Sequence, residues 1–517
     1  MQAANKVVIN TGFLYGKMLV TMFIALYATR LVLNGLGAED YGIFNLVAGI
    51  VAMLSFLNSS MTLSTQRYMS FFLGSGDLLQ LKKAFNSGIW LHLFISVLVV
   101  GLLELSGIYL FGHVLNIPAE RLPAAKIIFH CMTASAFFTI VSVPYDALIN
   151  TRENMLLVAV TGIVEAVLKL ALAIGLSYMS GDKLVYYGAG LALLMVMMLV
   201  FKMLYCAARY SESSINTRYY DGKLLREMLA YSGWAMVGAS GVIAKTQGIA
   251  VILNVFFGAV INAAFAIANQ VSAQLSYFAV TMLQALNPQL VKSEGGGNRA
   301  RMQMLSLMAC KFSFFLLAFF AIPAMIEMPY ILQLWLKNTP EHTVAFCRLI
   351  VAASLVYQLS AGLQMAVQAV GRIGTFQTVL CALLLLNIPG AWLLLQAGMP
   401  PASVLVLSVA IECLIGLYRL LAAHQLTGIA AGSFMKNVVW QSLLPVTLAT
   451  AISLIPYFTM EEGFLRLLAT GAVSVVSVSL LVRGMGLTPY EQQKLGEMAG
   501  KALARINRKR PEWKTQP

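Results

Sequence analysis

Lys17 stands about nine residues into the apolar stretch 8–33, which carries no other charge until Arg30. If that stretch is a helix, the lysine lies roughly 13 Å from its start, at 1.5 Å per residue. Asn10, Lys17 and Thr21 follow i, i+7, i+11 spacing and share one helical face. Similar charges are embedded elsewhere. Arg67 closes the stretch 40–73 below Asn58, Thr62 and Gln66, and Lys245 sits near the middle of 230–257 with Gln247 and Asn254 after it. Glu165 and Lys169 stand at i, i+4 in 153–179, Glu412 and Arg419 at i, i+7 in 402–425, and Asp146 near the end of 123–150. A charge inside an apolar span is expensive and marks a functional position by default.

The chemistry these residue types offer is anion binding. Cations exceed acids among the deep positions of the N-terminal half and of 230–257. Lysine and arginine in a low-dielectric wall hold phosphate strongly, whereas a carrier of cationic drugs is expected to expose acids. Lys17, Lys245, Arg67 and Arg30 are therefore the candidate substrate-binding cations. Glu165, Lys169, Asp146, Glu412 and Arg419 are candidates for coupling or gating. Asn58, Gln66, Asn269, Gln364 and Gln368 fit the lining of a polar cavity, and fit equally well hydrogen bonding between helices.

Plainer readings compete. Arg67, Asp146 and Arg419 are at snorkelling depth, Glu165 and Lys169 make a structural ion pair, and Arg30 reaches outward or pairs with Asp40. Lys17 and Lys245 resist such readings, being deep, at comparable places in the two halves and without an acid close in sequence.

Enzyme motifs fail. Gly12-Phe13-Leu14-Tyr15-Gly16-Lys17 lacks one spacer of a phosphate-binding loop, and Met18 stands where a Ser or Thr is required. HExxH, GxSxG and a full GxGxxG are missing. The six cysteines are scattered without a CxxC or Cys/His cluster, so neither a metal site, a cofactor nor a disulfide framework is expected.

The elements that must position these residues are membrane spans. The 517 residues are 59% hydrophobic and 11% charged, with a mean hydropathy of +0.79, far from the charged quarter of a soluble protein. Apolar runs of about 20 residues, the length that crosses a bilayer, recur throughout. Their continuity argues against a β-barrel. The fold class is all-α integral membrane with about 14 spans near 8–33, 40–73, 85–111, 123–150, 153–179, 184–209, 230–257, 262–291, 301–326, 343–370, 374–397, 402–425, 436–458 and 464–484. The first reads as an uncleaved helix, since no small-residue cleavage site follows it.

Loop cations (Lys6, Lys82, Lys83, Arg152, Arg209, Arg218, Lys223, Lys292, Arg299, Arg372 and Lys436) fall on one side, which places both termini in the cytoplasm. The net charge of +14 is that basic side rather than a nucleic-acid footprint.

An internal echo organises the spans. Leu33-Asn34…Gly37…Phe44 is repeated by Leu253-Asn254…Gly258…Phe265, and Gly74-Ser75-Gly76-Asp77 by Gly295-Gly296-Gly297-Asn298. Both copies run in the same direction, so two parallel-repeat six-helix lobes are expected around a central cavity. The divisions are 1–210 for the N-terminal lobe, 211–229 for a cytoplasmic interfacial linker, 230–426 for the C-terminal lobe, 427–486 for two extra spans and 487–517 for a basic tail. Lys223–Leu229 reads as a short interfacial helix. Thr488-Pro489-Tyr490-Glu491 reads as a helix cap, followed by an amphipathic helix with Lys501, Arg505 and Arg508 facing away from its apolar side and toward lipid headgroups or a partner protein.

The stretches Asn10-Thr11-x-Phe13-Leu14-Tyr15, Leu31 through Asn45 and Ser64-Thr65-Gln66-Arg67-Tyr68 resemble bacterial Wzx-type flippases for O-antigen or capsule repeat units, of the multidrug/oligosaccharidyl-lipid/polysaccharide exporter superfamily. The likeness is strong over roughly the first 90 residues and topological beyond them. It implies a bacterial inner-membrane flippase for undecaprenyl-diphosphate-linked oligosaccharide, working by alternating access with H+ or Na+ coupling and in contact with polysaccharide polymerase machinery. Within the superfamily, a peptidoglycan-precursor flippase or a cation-coupled multidrug exporter is the alternative. A membrane glycosyltransferase or polymerase is disfavoured by the short outer loops.

The topology is testable directly. A reporter fused after Gly484 should be active only in a form that works in the cytoplasm, and activity confined to the periplasm would contradict the arrangement.

Overall fold

The computed structural model of the chain describes residues 2–52, 55–113, 117–336, 339–489 and 491–493. Among them there is no strand. The helices are α1 (Gln2–Leu36), α2 (Ala38–Ala52), α3 (Ser55–Ser75), α4 (Leu78–His113), α5 (Leu122–Thr151), α6 (Met155–Gly175), α7 (Lys183–Arg209) and α8 (Gly222–Gly295). After these come α9 (Arg299–Ile326), α10 (Met328–Leu336), α11 (Thr343–Val370), α12 (Gly374–Leu385), α13 (Asn387–Gln396), α14 (Ala402–Thr427), α15 (Ala431–Phe434), α16 (Gln441–Thr459) and α17 (Phe464–Leu481). Twelve of the described helical stretches are long and apolar enough to cross a membrane, so the chain is a multi-pass membrane protein. The expected spans 40–73 and 262–291 fall on α2–α3 and on α8 beyond Gly258. Both are helical, but they carry the polar rows and fall outside that dozen.

Positive-φ glycines show why the repeat exists. Gly37 and Gly258, with φ of 83° and 78°, break the chain at the head of each second span. Gly76 and Gly297, with φ of 76° and 72°, turn it at the foot. A residue with a Cβ adopts this region only at a cost. The next residue then caps the following helix in both copies: Asp77 accepts from the Gln80 N–H at 2.9 Å and Asn298 from the Arg301 N–H at 3.0 Å. One offset of 221 residues relates all these positions, from 37 to 258 and from 76 to 297.

Helices α1–α7 pack on one another, α5 lying between α4 and α7 and α1 against α6. In the other lobe α11 is surrounded by α8, α9 and α14. The lobes meet along α3 and α8. At the foot of that contact each of two repeat-equivalent glycines lies against the backbone of the opposite helix. A Cβ on Gly74 would lie 2.2 Å from the Lys292 carbonyl oxygen, and one on Gly295 would lie 2.1 Å from that of Phe71. Loop cations gather on this same face, where Lys83 pairs with Asp221 at 3.1 Å, Arg152 pairs with Glu212, and Arg299 donates to the Leu426 carbonyl.

Residues 211–221 form two 3₁₀ turns tied to α4 and α7. Asn86 bridges the Ser214 carbonyl and the Asn216 N–H, and Lys82 lies over the Tyr219 ring. Asp221 caps α8 through the Lys223 and Leu224 N–H groups. The stretch Lys223–Leu229, expected as a separate interfacial helix, is therefore the first two turns of α8.

Helices α16 and α17 dock on α9 around Phe314, Phe315, Ile322 and Val446. Two buried ion pairs pin them. Glu327 accepts from Arg466 Nη2 at 3.0 Å and from Thr470 Oγ1 at 2.8 Å, with Arg466 over the Tyr457 ring at 4.7 Å. At the other end Lys311 pairs with Glu491 and donates to Gln441 Oε1 at 3.1 Å. Glu491 and Thr488 also form the expected reciprocal cap, with N–H donations of 2.7 and 3.3 Å. The amphipathic helix expected around Lys501, Arg505 and Arg508 lies outside the described residues.

Removing one partner of a buried pair leaves an uncompensated charge. Glu327→Ala should therefore cost about 3–5 kcal/mol of stability, read as a fall in Tm of the detergent-solubilised protein. Glu327→Met with Arg466→Met should recover most of the loss, and a single variant with wild-type Tm would contradict the pinning role.

Candidate functional site

A cavity of about 490 Å³ opens within the N-terminal lobe, between α1, α2, α6 and α7. Lys17, Thr21, Ile24, Ala28 and Val32 supply one stripe of α1, at steps of three or four residues. Tyr41, Phe44 and Asn45 come from α2, Glu165 and Lys169 from α6, and Tyr187 from α7. The lysine fits because α6 has no side chain at position 162. A Cβ on Gly162 would lie 2.1 Å from Lys17 Cε, so the lysine stem crosses bare backbone.

The surroundings correct one expectation. Lys17 has acids near it: Glu165 and Asp146 both act on its charge, opposed by Lys202. They come from other helices, which is why none was visible within α1. Glu165 accepts from Lys169 Nζ at 2.7 Å, and this pair is about one-third exposed. Asp146 accepts from Lys202 Nζ at 2.7 Å and from Ser142 Oγ at 3.0 Å. The cluster holds three lysines and two carboxylates, an excess of one positive charge.

The C-terminal lobe has a second cluster. Arg419 donates from Nη1 to Glu412 and to Ser360 Oγ, both at 2.9 Å, and lies over the Tyr357 ring at 4.7 Å. Glu412 and Arg419 are buried, and both act on the charge of Lys245. This cluster too has one more cation than acid. The comparable places expected for the two lysines are off by two turns, since the repeat offset carries Lys17 to Gly238 and Ile24 to Lys245. Lys245 is not among the residues lining the Lys17 cavity.

Arg67 is buried at the foot of α3, with Nε and Nη2 donating to the Gln368, Ala369 and Val370 carbonyls at the end of α11. Arg30 is exposed at the far end of α1. The pairing of Arg30 with Asp40 is replaced by Arg121, whose Nε donates to Asp40 Oδ1 at 2.7 Å and whose Nη1 donates to Asp182 Oδ2 at 2.9 Å. Both acids raise the Arg121 pKa, Asp40 most of all.

Of the polar rows, Asn269 turns back on its own helix to the Phe265 carbonyl at 2.9 Å. Gln364 Oε1 is buried without a hydrogen-bond partner among the described residues. The backbone carbonyl of Gln368 receives Arg67 and Tyr231. Gln66 is half-buried on α3, and the side chain of Asn58 lies outside the described residues.

Several ionic positions escape the sequence reading. Lys202 is a lone cation in a span and was open to the same depth argument as Lys17. Glu327–Arg466 and Lys311–Glu491 join positions 139 and 180 residues apart, which no local spacing reveals. Among the described residues no group of three His, Cys, Asp or Glu could hold a metal ion. The arrangement offers fixed positive charge and hydrogen-bond donors.

The sequence matches no protein-family model and no curated protein. The structure is similar to a MATE protein crystallised in complex with MaD5, at a TM-score of 0.70 and 15% identity over 83% of this chain and 97% of that one. It is similar to an outward-facing multidrug resistance MATE family transporter of the MOP superfamily, at a TM-score of 0.65 and 15% identity over 83% and 96%. A MOP superfamily transporter from Pyrococcus furiosus, described by a reversed polarity of its binding pocket, gives 0.66 and 15% over 82% and 96%. The fold is therefore the one these transporters have.

Glu165 pairs with Lys169 and lines the same cavity as Lys17. Glu165→Lys with Lys169→Glu keeps the i, i+4 pair but sets like charge against Lys17. It should lower stability by about 1 kcal/mol after solvent screening, seen as a lower Tm, and adding Lys17→Met should restore it. A double variant with wild-type Tm would mean that Glu165 serves Lys169 alone.

Proposed function

We propose that this chain is a flippase that moves undecaprenyl-diphosphate-linked oligosaccharide across the bacterial inner membrane for surface polysaccharide assembly. The observation that carries the reading is the lysine-bearing cavity, in which Lys17 and Lys169 outnumber Glu165 inside a membrane-spanning lobe. A lysine in hydrocarbon costs a few kcal/mol even on insertion scales. A hydrated cavity that receives an anion removes most of that cost. The diphosphate headgroup supplies full negative charges and several acceptor oxygens, the partner that lysine and arginine hold best. The prenyl tail stays in lipid while the lobes rock about the headgroup. The basic face is the cytoplasmic one, by the excess of lysine and arginine in its loops. The resemblance of the first 90 residues to Wzx-type flippases supports the same substrate.

In this reading Lys17, Lys245, Arg67 and Arg30 remain the substrate-binding cations, with Lys17 foremost, and Lys245 serves its own lobe beside Glu412 and Arg419. The Asp146–Lys202 and Glu165–Lys169 pairs are where an H+ or Na+ gradient would act, since loss of either pairing changes the charge that Lys17 feels. The second reading, a multidrug exporter, is favoured by the similar structures that are multidrug resistance transporters. The excess of cations at this cavity disfavours a cationic drug. A neighbour whose pocket polarity is described as reversed is a precedent for one fold serving opposite charges.

The test is export of surface glycan. Lys17→Ala should reduce it by roughly tenfold or more, the loss of one charge-assisted contact worth about 1.5–3 kcal/mol, with membrane protein levels unchanged. Lys17→Arg should be milder, since the charge survives. Wild-type export from Lys17→Ala with Lys245→Ala would remove the cationic-cavity mechanism.

A further inference from the structure

We infer that Arg67 is a two-position switch: in the state seen here it caps the end of α11 and holds the basic face shut, and a diphosphate arriving at that face draws it away and frees the lobes. The headgroup chemistry rests on the flippase reading above. The lock itself rests on geometry alone.

Arg67 belongs to α3 of the N-terminal lobe, and the backbone carbonyls it donates to belong to α11 of the other lobe. Nε donates to the Gln368 and Ala369 carbonyls at 3.0 and 3.3 Å, and Nη2 to those of Ala369 and Val370 at 3.1 and 3.0 Å. The guanidinium carbon lies 4.8 Å from the Tyr68 ring and 5.2 Å from the Tyr231 ring. Gly371 makes the approach feasible: it adopts φ of 92°, and a Cβ there would lie 2.0 Å from Nη2. The last carbonyls of a helix have no partner within it and carry roughly half a negative charge between them. Arg67 satisfies them from across the lobe boundary.

The same level holds the rest of the closure. Ser64 Oγ donates to the Met228 carbonyl at 2.9 Å, Lys292 pairs with Glu153 at 2.6 Å, and the Gly74 and Gly295 backbones press on those of Lys292 and Phe71. Arg67 differs from these in what else could satisfy it. A hydroxyl bond and a glycine contact have no affinity for an anion, and Lys292 already meets the full charge of the Glu153 carboxylate, whereas Arg67 donates to neutral carbonyls. A guanidinium planar fork has that affinity, and it binds phosphate bidentately against full charges rather than half of one. Exchange of carbonyls for diphosphate is therefore downhill for Arg67, and each such exchange removes a lobe-to-lobe bond. Ligand binding and opening are coupled because the two states offer the same side chain different partners.

The experiment is hydrogen–deuterium exchange of the full-length protein in lipid nanodiscs, with and without inorganic pyrophosphate. In the wild type, pyrophosphate should speed amide exchange in 285–297 and 366–373 by roughly threefold or more, the signature of local opening. Arg67→Gln should show that faster exchange already, with no further response. Ser64→Ala, which weakens the same contact without touching the switch, should keep its response to pyrophosphate. Wild-type protection in Arg67→Gln would overturn the lock. Pyrophosphate that protects the Lys17 region but leaves 366–373 unchanged would overturn the switch and leave the cavity reading standing. Pyrophosphate that alters neither region would remove the switch together with the headgroup chemistry it rests on.

Discussion

A charged side chain cannot be left alone in an apolar medium, and the arrangement of this protein follows from that. Most deep cations are met by carboxylates or carbonyls from another element. Lys202 meets Asp146, Arg466 meets Glu327, Lys311 meets Glu491 and Arg67 meets the end of α11. Each pairing fixes which helices are neighbours and at what height. The extra helices α16 and α17 are held at both ends by such pairs. The two lobes are held at one face by Arg67 and by Glu153 with Lys292. Buried pairs of this kind are poor sources of net stability, but removing one partner is costly, so they specify the packing. Lys17, Lys169 and Glu165 line one cavity, in which Glu165 pairs with Lys169, and this leaves a surplus of positive charge that the packing does not consume.

Two kinds of contact hold the lobes, and they behave differently. At the α3–α8 crossing Gly74 lies against the Lys292 backbone and Gly295 against that of Phe71, which is possible because neither glycine has a side chain. The crossing joins repeat-equivalent positions, as a pseudo-twofold axis requires. It has two-sided symmetry and no charge, so it suits a hinge about which the lobes rock. The Arg67 contact is one-sided, since the repeat offset carries position 67 to Pro288, and it is charged. A symmetric hinge beside an asymmetric, charged bond is an arrangement in which a substrate at one face can bias the equilibrium between two states.

Much of this was legible in the sequence. The repeat showed itself in Gly37, Gly76 and their echoes because positive φ tolerates few residues, so backbone geometry writes itself into residue identity. The Glu165–Lys169 pair and the Glu412–Arg419 pair were visible because helical spacing puts partners on one face. The cap of Thr488 and Glu491 was visible for the same local reason. Contacts between helices were not. Arg67 and α11 are some 300 positions apart, and nothing local in either segment points to the other. The acids near Lys17 do not show in its own segment because Glu165 and Asp146 come from α6 and α5. The interfacial helix at Lys223–Leu229 was misplaced because its amphipathic pattern and the start of a long span look alike until Asp221 is seen capping it. The depth of a lone lysine such as Lys202 is readable from its place in an apolar span, but its partner Asp146 is not.

The account's central claim is that the lysine-bearing cavity serves a lipid-linked anionic glycan that changes leaflet. The most direct measurement is leaflet-resolved detection of the lipid-linked glycan in cells lacking this chain and in cells resupplied with it. The account predicts that without the chain the glycan lipid accumulates in the cytoplasmic leaflet, and that resupply moves it to the periplasmic leaflet. Equal appearance in the periplasmic leaflet with and without the chain would contradict it.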